Sequence, residues 1–152
     1  MRPGLAALPV LILALAACAP RPPAGFDGDA LDTAIERAMG GPGTCVLLAE
    51  RGQTRAFHRY GSNVTCGRVL PSCEAAAELK ASDLLKAAAA GGPAVARSCP
   101  TAPDGSRSVG WASGAAPGKP NVVYAAYMEG DRALPGMVMA DRLRAALEKA
   151  GL

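Results

Sequence analysis

Histidine is almost missing from this 152-residue chain, which has one, His58, beside five cysteines. Zinc sites draw their ligands from closely spaced Cys and His pairs. No such pair occurs, so no metal and no other cofactor is expected. Aromatic residues are also scarce, with one Trp, three Tyr and two Phe. A core built from this chain must therefore use small side chains, chiefly Ala with Val and Leu. A dominant charge is lacking too: 16 Lys and Arg face 13 Asp and Glu, for a net charge of +3. With no basic run, the chain does not read as a nucleic-acid binder. What is plentiful is Gly, at 18, and Pro, at 13, and both imply many turns. The length suits one domain and not two.

One long apolar run exists, at residues 5–17 behind Met1-Arg2-Pro3 and broken only by Pro9. As a helix it would be roughly 20 Å long, short of a bilayer core of about 30 Å. It reads as a secretory signal peptide over 1–17 and not as a spanning anchor. Its end, Leu15-Ala16-Ala17-Cys18, resembles the lipobox of bacterial lipoproteins. That resemblance implies cleavage before Cys18, lipidation of its thiol and a membrane partner through the lipid. Ala19 rather than Asp after the cysteine is similar to cargo sorted to the outer membrane, which implies its periplasmic face. Residues 18–26, with Pro20, Pro22 and Pro23, read as an extended, stiff tether, and 27–152 as a single domain.

Setting Cys18 aside leaves Cys45, Cys66, Cys73 and Cys99. An even number in an exported chain argues for two disulfides. The spacing leaves all three pairings open.

Apolar periodicity predicts a helix over 29–39, which Asp27 or Asp29 could cap. A strand over 44–50 and another over 55–60 follow, joined by a turn at 51–54. After a loop over 61–71, an Ala-rich helix is expected over 72–90 with Ser72 as its cap. Strands follow at 94–99, 107–113 and 122–128, and a last helix at about 137–150. The order α-β-β-α-β-β-β-α with short connections predicts an α+β domain, an antiparallel sheet of about five strands covered by N- and C-terminal helices.

That order resembles the α/β half of the penicillin-recognising serine hydrolases, the β-lactamases and penicillin-binding proteins. Gly43-Thr44-Cys45-Val46-Leu47-Leu48 with Arg59-Tyr60 is similar to the first hairpin of class D β-lactamases. Arg68-Val69-Leu70-Pro71-Ser72-Cys73 resembles the segment before the family's nucleophile, and Ser108-Val109-Gly110-Trp111-Ala112-Ser113-Gly114 its Gly-Trp strand. The resemblance covers about 29–152, with a gap where the family has a helical domain. It implies that two strands lie between those carrying Cys45 and Cys99. Those cysteines would then be on the order of 14 Å apart, too far to bridge. The catalytic residues do not carry over. The family's Ser-x-x-Lys lets a lysine accept the serine proton, but here Ser82 has Lys86 four positions on. Ser82-Asp83 is followed by Leu84, and Lys-Thr-Gly is absent.

Other chemistry is sparse. His58 lacks a Gly-x-Ser-x-Gly partner and reads as structural. On the expected helix, Glu74 with Glu78 and Asp83 with Lys86 would be neighbours on a solvated face. Arg55, Arg59 and Arg68 could form a basic patch toward anionic peptidoglycan or headgroups, although scattered surface arginines are the commoner outcome. Trp111, Tyr124 and Tyr127 read as core. The expectation is therefore a non-enzymatic, lipid-anchored module of the cell envelope, whose partner is another envelope protein or peptidoglycan. The alternative is a degenerate or atypical serine hydrolase using Ser72 or Ser106. A decayed gene product would fail to unfold cooperatively.

Overall fold

The computed structural model describes residues 19–152, so the expected signal peptide and Cys18 lie outside the described residues. Helix α1 (Gly28–Met39) is capped by Asp27, whose carboxylate accepts from the Ala30 amide at 3.0 Å. It buries Leu31, Ile35 and Met39, the stripe its spacing dictates. Strand β1 (Thr44–Glu50) turns through 51–57 into the short β2 (His58–Tyr60). A one-turn helix α2 (Asn63–Cys66), strands β3 (Leu70–Pro71) and β4 (Glu78–Leu79), and helix α3 (Ala81–Ala89) follow. Strands β5 (Val95–Pro100), β6 (Ser108–Ala115) and β7 (Val122–Gly130) and helix α4 (Gly136–Lys149) complete the chain.

The main sheet runs β2-β1-β7-β6-β5 with every neighbouring pair antiparallel. This is the expected α+β architecture of five antiparallel strands with N- and C-terminal helices. The side-chain period of two sends alternate residues to opposite faces. Val46, Leu48, Ala112, Tyr124 and Ala126 meet α1 and α4 on the first face. Cys45, Leu47, Val109, Trp111, Ala125 and Tyr127 meet α3 on the second. Coverage of both faces explains why six of the seven β1 residues are buried.

Two glycines set how closely α4 approaches. A Cβ on Gly136 would lie within 2.5 Å of the carbonyl oxygens of Arg97 and Trp111. One on Gly110 would overlap the Leu134 carbonyl and come within 2.8 Å of Met139 Sδ. The segment entering α4 therefore lies flat on the sheet only because both positions lack side chains.

The sequence reading fails most clearly over 72–90, where the helix is only Ala81–Ala89. Ser72 does not cap it. Its hydroxyl donates to the Glu74 carbonyl at 2.8 Å and accepts from the Glu74 amide at 3.1 Å. Cys73 and Ala75 have φ of 62° and 53°, left-handed values that interrupt any helix. High Ala propensity is overridden because Cys73 is bonded to Cys99. Glu74 and Glu78 consequently do not share a helix face: Glu74 pairs with Arg97 and Glu78 lies in β4 opposite Pro71. The second strand is likewise shorter than expected, and the 61–71 loop contains α2 and β3. Residues 23–26 do not stand off the domain. Lys119 Nζ donates to the Ala24 carbonyl at 2.9 Å, and the Phe26 ring meets those of Phe57 and His58 edge-on.

Candidate functional site

The second face of the sheet carries most of the polar chemistry, because residues 61–80 cross it as a strap. One register row, Cys45–Tyr127–Trp111–Arg97, runs across four neighbouring strands. Each member holds the strap at a successive point. Cys45 is bonded to Cys66. The Tyr127 hydroxyl donates to the Thr65 carbonyl, and Trp111 Nε1 donates to the Pro71 carbonyl at 2.8 Å. Arg97 Nη1 pairs with the Glu74 carboxylate. The second bridge, Cys73–Cys99, fastens the far end to the edge strand β5. The two bridges thus leave Cys45 and Cys99 unpaired with each other, with β7 and β6 between their strands.

Beside this row lies Glu129, whose side chain is 2% exposed. Arg68 Nη1 reaches its Oε2 at 2.7 Å, and Arg107 grips both oxygens at 3.0 and 2.8 Å. The Thr101 hydroxyl donates to Oε1 at 2.9 Å. Burial alone would raise this carboxyl. The hydrogen bonds from Arg107, Arg68 and Thr101 outweigh it and hold the group at about 2. Sequence reading missed Glu129, although a signal was present. It shares the parity of Val123, Ala125 and Tyr127 on an inward strand face, where a carboxylate requires cationic partners.

The candidate catalytic groups are dispersed. Ser72 is held within its own turn. The Ser106 hydroxyl and amide both donate to Asp104, at 2.7 and 3.0 Å, and the same contacts hold that carboxyl below its usual range. His58 Nε2 lies 2.8 Å from Asp32 Oδ1 on the opposite face of the sheet, against α1. Lys86 pairs with Asp83 at 3.3 Å. Next to His58, burial and the hydrogen bond it donates to Glu36 push the Tyr60 phenol up to about 12.

Of the three arginines, Arg59 and Arg68 have separate partners. Arg59 donates to the Gly61 carbonyl at 3.1 Å and to Asn63, while Arg68 is committed to Glu129. Arg55 sits at the β1–β2 turn, beside Glu50, Gln53 and Phe57. Trp111, Tyr124 and Tyr127 are buried core residues, as expected.

Two grooves remain. One of about 600 Å³ lies where the end of α1 and the 40–44 turn meet residues 128–134, with Arg37, Arg132 and Arg142 on its walls. The other, of about 490 Å³, lies between α3 and β5. No group of three His, Cys, Asp or Glu that could hold a metal occurs among the described residues. No helix among them is long and apolar enough to cross a membrane. Comparison with family models, curated proteins and solved structures found no match.

Proposed function

We propose that this chain is an exported lipoprotein, anchored through acylated Cys18 at the periplasmic face of the outer membrane. Its domain acts there as a small binding or envelope-structural module. The observation that carries the reading is cysteine usage. Four of the five cysteines are spent in two bridges, Cys45–Cys66 and Cys73–Cys99. Such bridges persist in oxidising compartments. The cysteine left over is Cys18, which ends the Leu15-Ala16-Ala17-Cys18 sequence. The site chemistry agrees with a binding role, since Ser72, Ser106, Asp104 and Glu129 are engaged in local turns or ion pairs.

The reading also orients the molecule. Residues 19–22 line one groove together with Glu50, Gln53, Arg55 and Phe57 at the β1–β2 turn. An acyl chain on Cys18 would enter the bilayer from that end, and the 101–107 turn and the Glu129 cluster would face away. Metabolic labelling with an alkyne fatty acid, followed by membrane fractionation, tests this. The wild-type chain is expected to be labelled and membrane-bound, and Cys18→Ala to be neither. An unlabelled wild type, or equal labelling of Cys18→Ala, would overturn the proposal.

One observation favours a second reading, a degenerate or atypical serine hydrolase of the β-lactamase and penicillin-binding class. In the sheet two strands separate β1 from β5, as that resemblance implies, and the N- and C-terminal helices pack against it. Labelling by a penicillin probe that Ser72→Ala or Ser106→Ala abolishes would establish this reading, and absence of labelling would remove it.

A further inference from the structure

Two buried side-chain polar atoms lack a partner among the described residues, Arg97 Nε and Ser113 Oγ. Both residues line the same cleft, between α3 and β5. An unpaired buried polar atom costs about 1–3 kcal/mol, and native domains keep few of them. Two such atoms at one cleft suggest a ligand that completes their hydrogen bonds.

The register shows how they are placed. Ser113 is opposite Val95 and Trp111 is opposite Arg97. Arg97 and Ser113 therefore project to the same sheet face, on adjacent strands and on a diagonal, with main chains about 7–8 Å apart. An oxygen seated between them could accept from both. Both atoms are solvent-inaccessible and Ser113 is 2% exposed, so seating that oxygen requires both side chains to shift.

The remaining lining defines the ligand. Leu79, Leu84, Ala88 and Val95 are apolar, Ala87 is at the exposed mouth, and the volume of about 490 Å³ is within the range of small-ligand sites. The charges largely cancel, since Glu74 neutralises Arg97 and Lys86 neutralises Asp83. A neutral carbonyl fits this balance better than a carboxylate or phosphate. Finally, β5 is the edge of the sheet, with β6 on one side only, so its outer main-chain groups are not used in the ladder.

We propose that the cleft between α3 and β5 binds an extended peptide of small apolar residues, with one main-chain carbonyl accepting from Arg97 Nε and Ser113 Oγ. The proposal deepens the binding role above and does not rest on acylation of Cys18.

The test is ligand-observed fluorine NMR on the full-length protein in lipid nanodiscs, with trifluoroacetyl-trialanine amide as the probe. Saturable line broadening is expected with the wild type. Ala87→Trp, which fills the exposed mouth, should abolish it. Ser113→Ala should weaken affinity by about fivefold to tenfold while leaving the apo melting temperature unchanged or higher, because it removes an unpaired hydroxyl. A purely structural Ser113 would instead lower the melting temperature without changing affinity. No saturable broadening, equal broadening in Ala87→Trp, or equal binding of the triglycine analogue would overturn the proposal. So would binding of the free-acid peptide alone. None of these failures would alter fatty-acid labelling at Cys18, so they are distinguishable from failure of the lipoprotein reading.

Discussion

Glu129 shows how one buried charge organises its surroundings. Its carboxyl is held at about 2, against an ordinary value of 4.5. Because the folded value is depressed, its stabilising contribution is complete above about pH 4.5 and is lost as the pH falls toward 2. Acid titration of thermal stability should therefore show a loss across that window, which Glu129→Gln flattens. Hydrogen bonds to charged groups contribute about 1.5–3 kcal/mol. Glu129→Gln is expected to cost about 2–3 kcal/mol at neutral pH, measured by denaturant unfolding, because Arg68 and Arg107 are partly exposed and can rehydrate. Gly136 is a residue-scale constraint of the opposite kind. Its missing side chain would meet main-chain atoms of β5 and β6, which cannot move aside without breaking the ladder. Gly136→Ala is expected to lower stability by about 3 kcal/mol, the upper end for overpacking, whereas Gly52→Ala, which meets nothing within 4 Å, should lose only what its φ of +81° imposes.

Among the elements, those whose pattern is local were legible in the sequence and those held by distant contacts were not. Helix α1, strands β1, β5, β6 and β7 and helix α4 announce themselves by periodicity and by the Gly and Pro that bound them. The strap does not. Its Ala-rich stretch reads as helix, yet its shape is set by Cys45, Tyr127, Trp111, Arg97 and Cys99, which are far away in sequence. No spacing rule connects Glu129 to Arg68 and Arg107, or Arg97 to Ser113, so the candidate sites emerge only once the register is known. The strap yields an element-scale expectation. Each bridge closes a loop, of 21 and 26 residues, for which loop-closure entropy gives about 3 kcal/mol apiece. Cys45 and Cys66 are buried, whereas Cys73 and Cys99 are half-buried. Graded reduction with alkylation should open Cys73–Cys99 first, and peptide mass spectrometry can follow the order. Trp111, the sole tryptophan and fully buried against the strap, should then shift its fluorescence to the red as the strap loosens.

For the molecule as a whole, a sheet covered on both faces gives small side chains a two-sided core, and the strap fixes the second face. Under the proposed acylation of Cys18, residues 19–26 would hold the β1–β2 end of the sheet close to the bilayer, with the 600 Å³ groove at the end of α1 turned away from it. On the proposed anchoring, a cysteine label introduced at 104 in the exposed 101–107 turn should stay accessible to a water-soluble quencher in membrane-reconstituted protein, while one at 53 should be shielded. Residues 61–80 form a strap pinned by the Cys45–Cys66 and Cys73–Cys99 bridges. A non-reducing peptide map of the full-length protein, isolated from cells under thiol-blocking conditions, tests this pairing. The expected result is two cystine peptides, Cys45–Cys66 and Cys73–Cys99. A Cys45–Cys99 or Cys66–Cys73 bridge, or four free thiols, would contradict it.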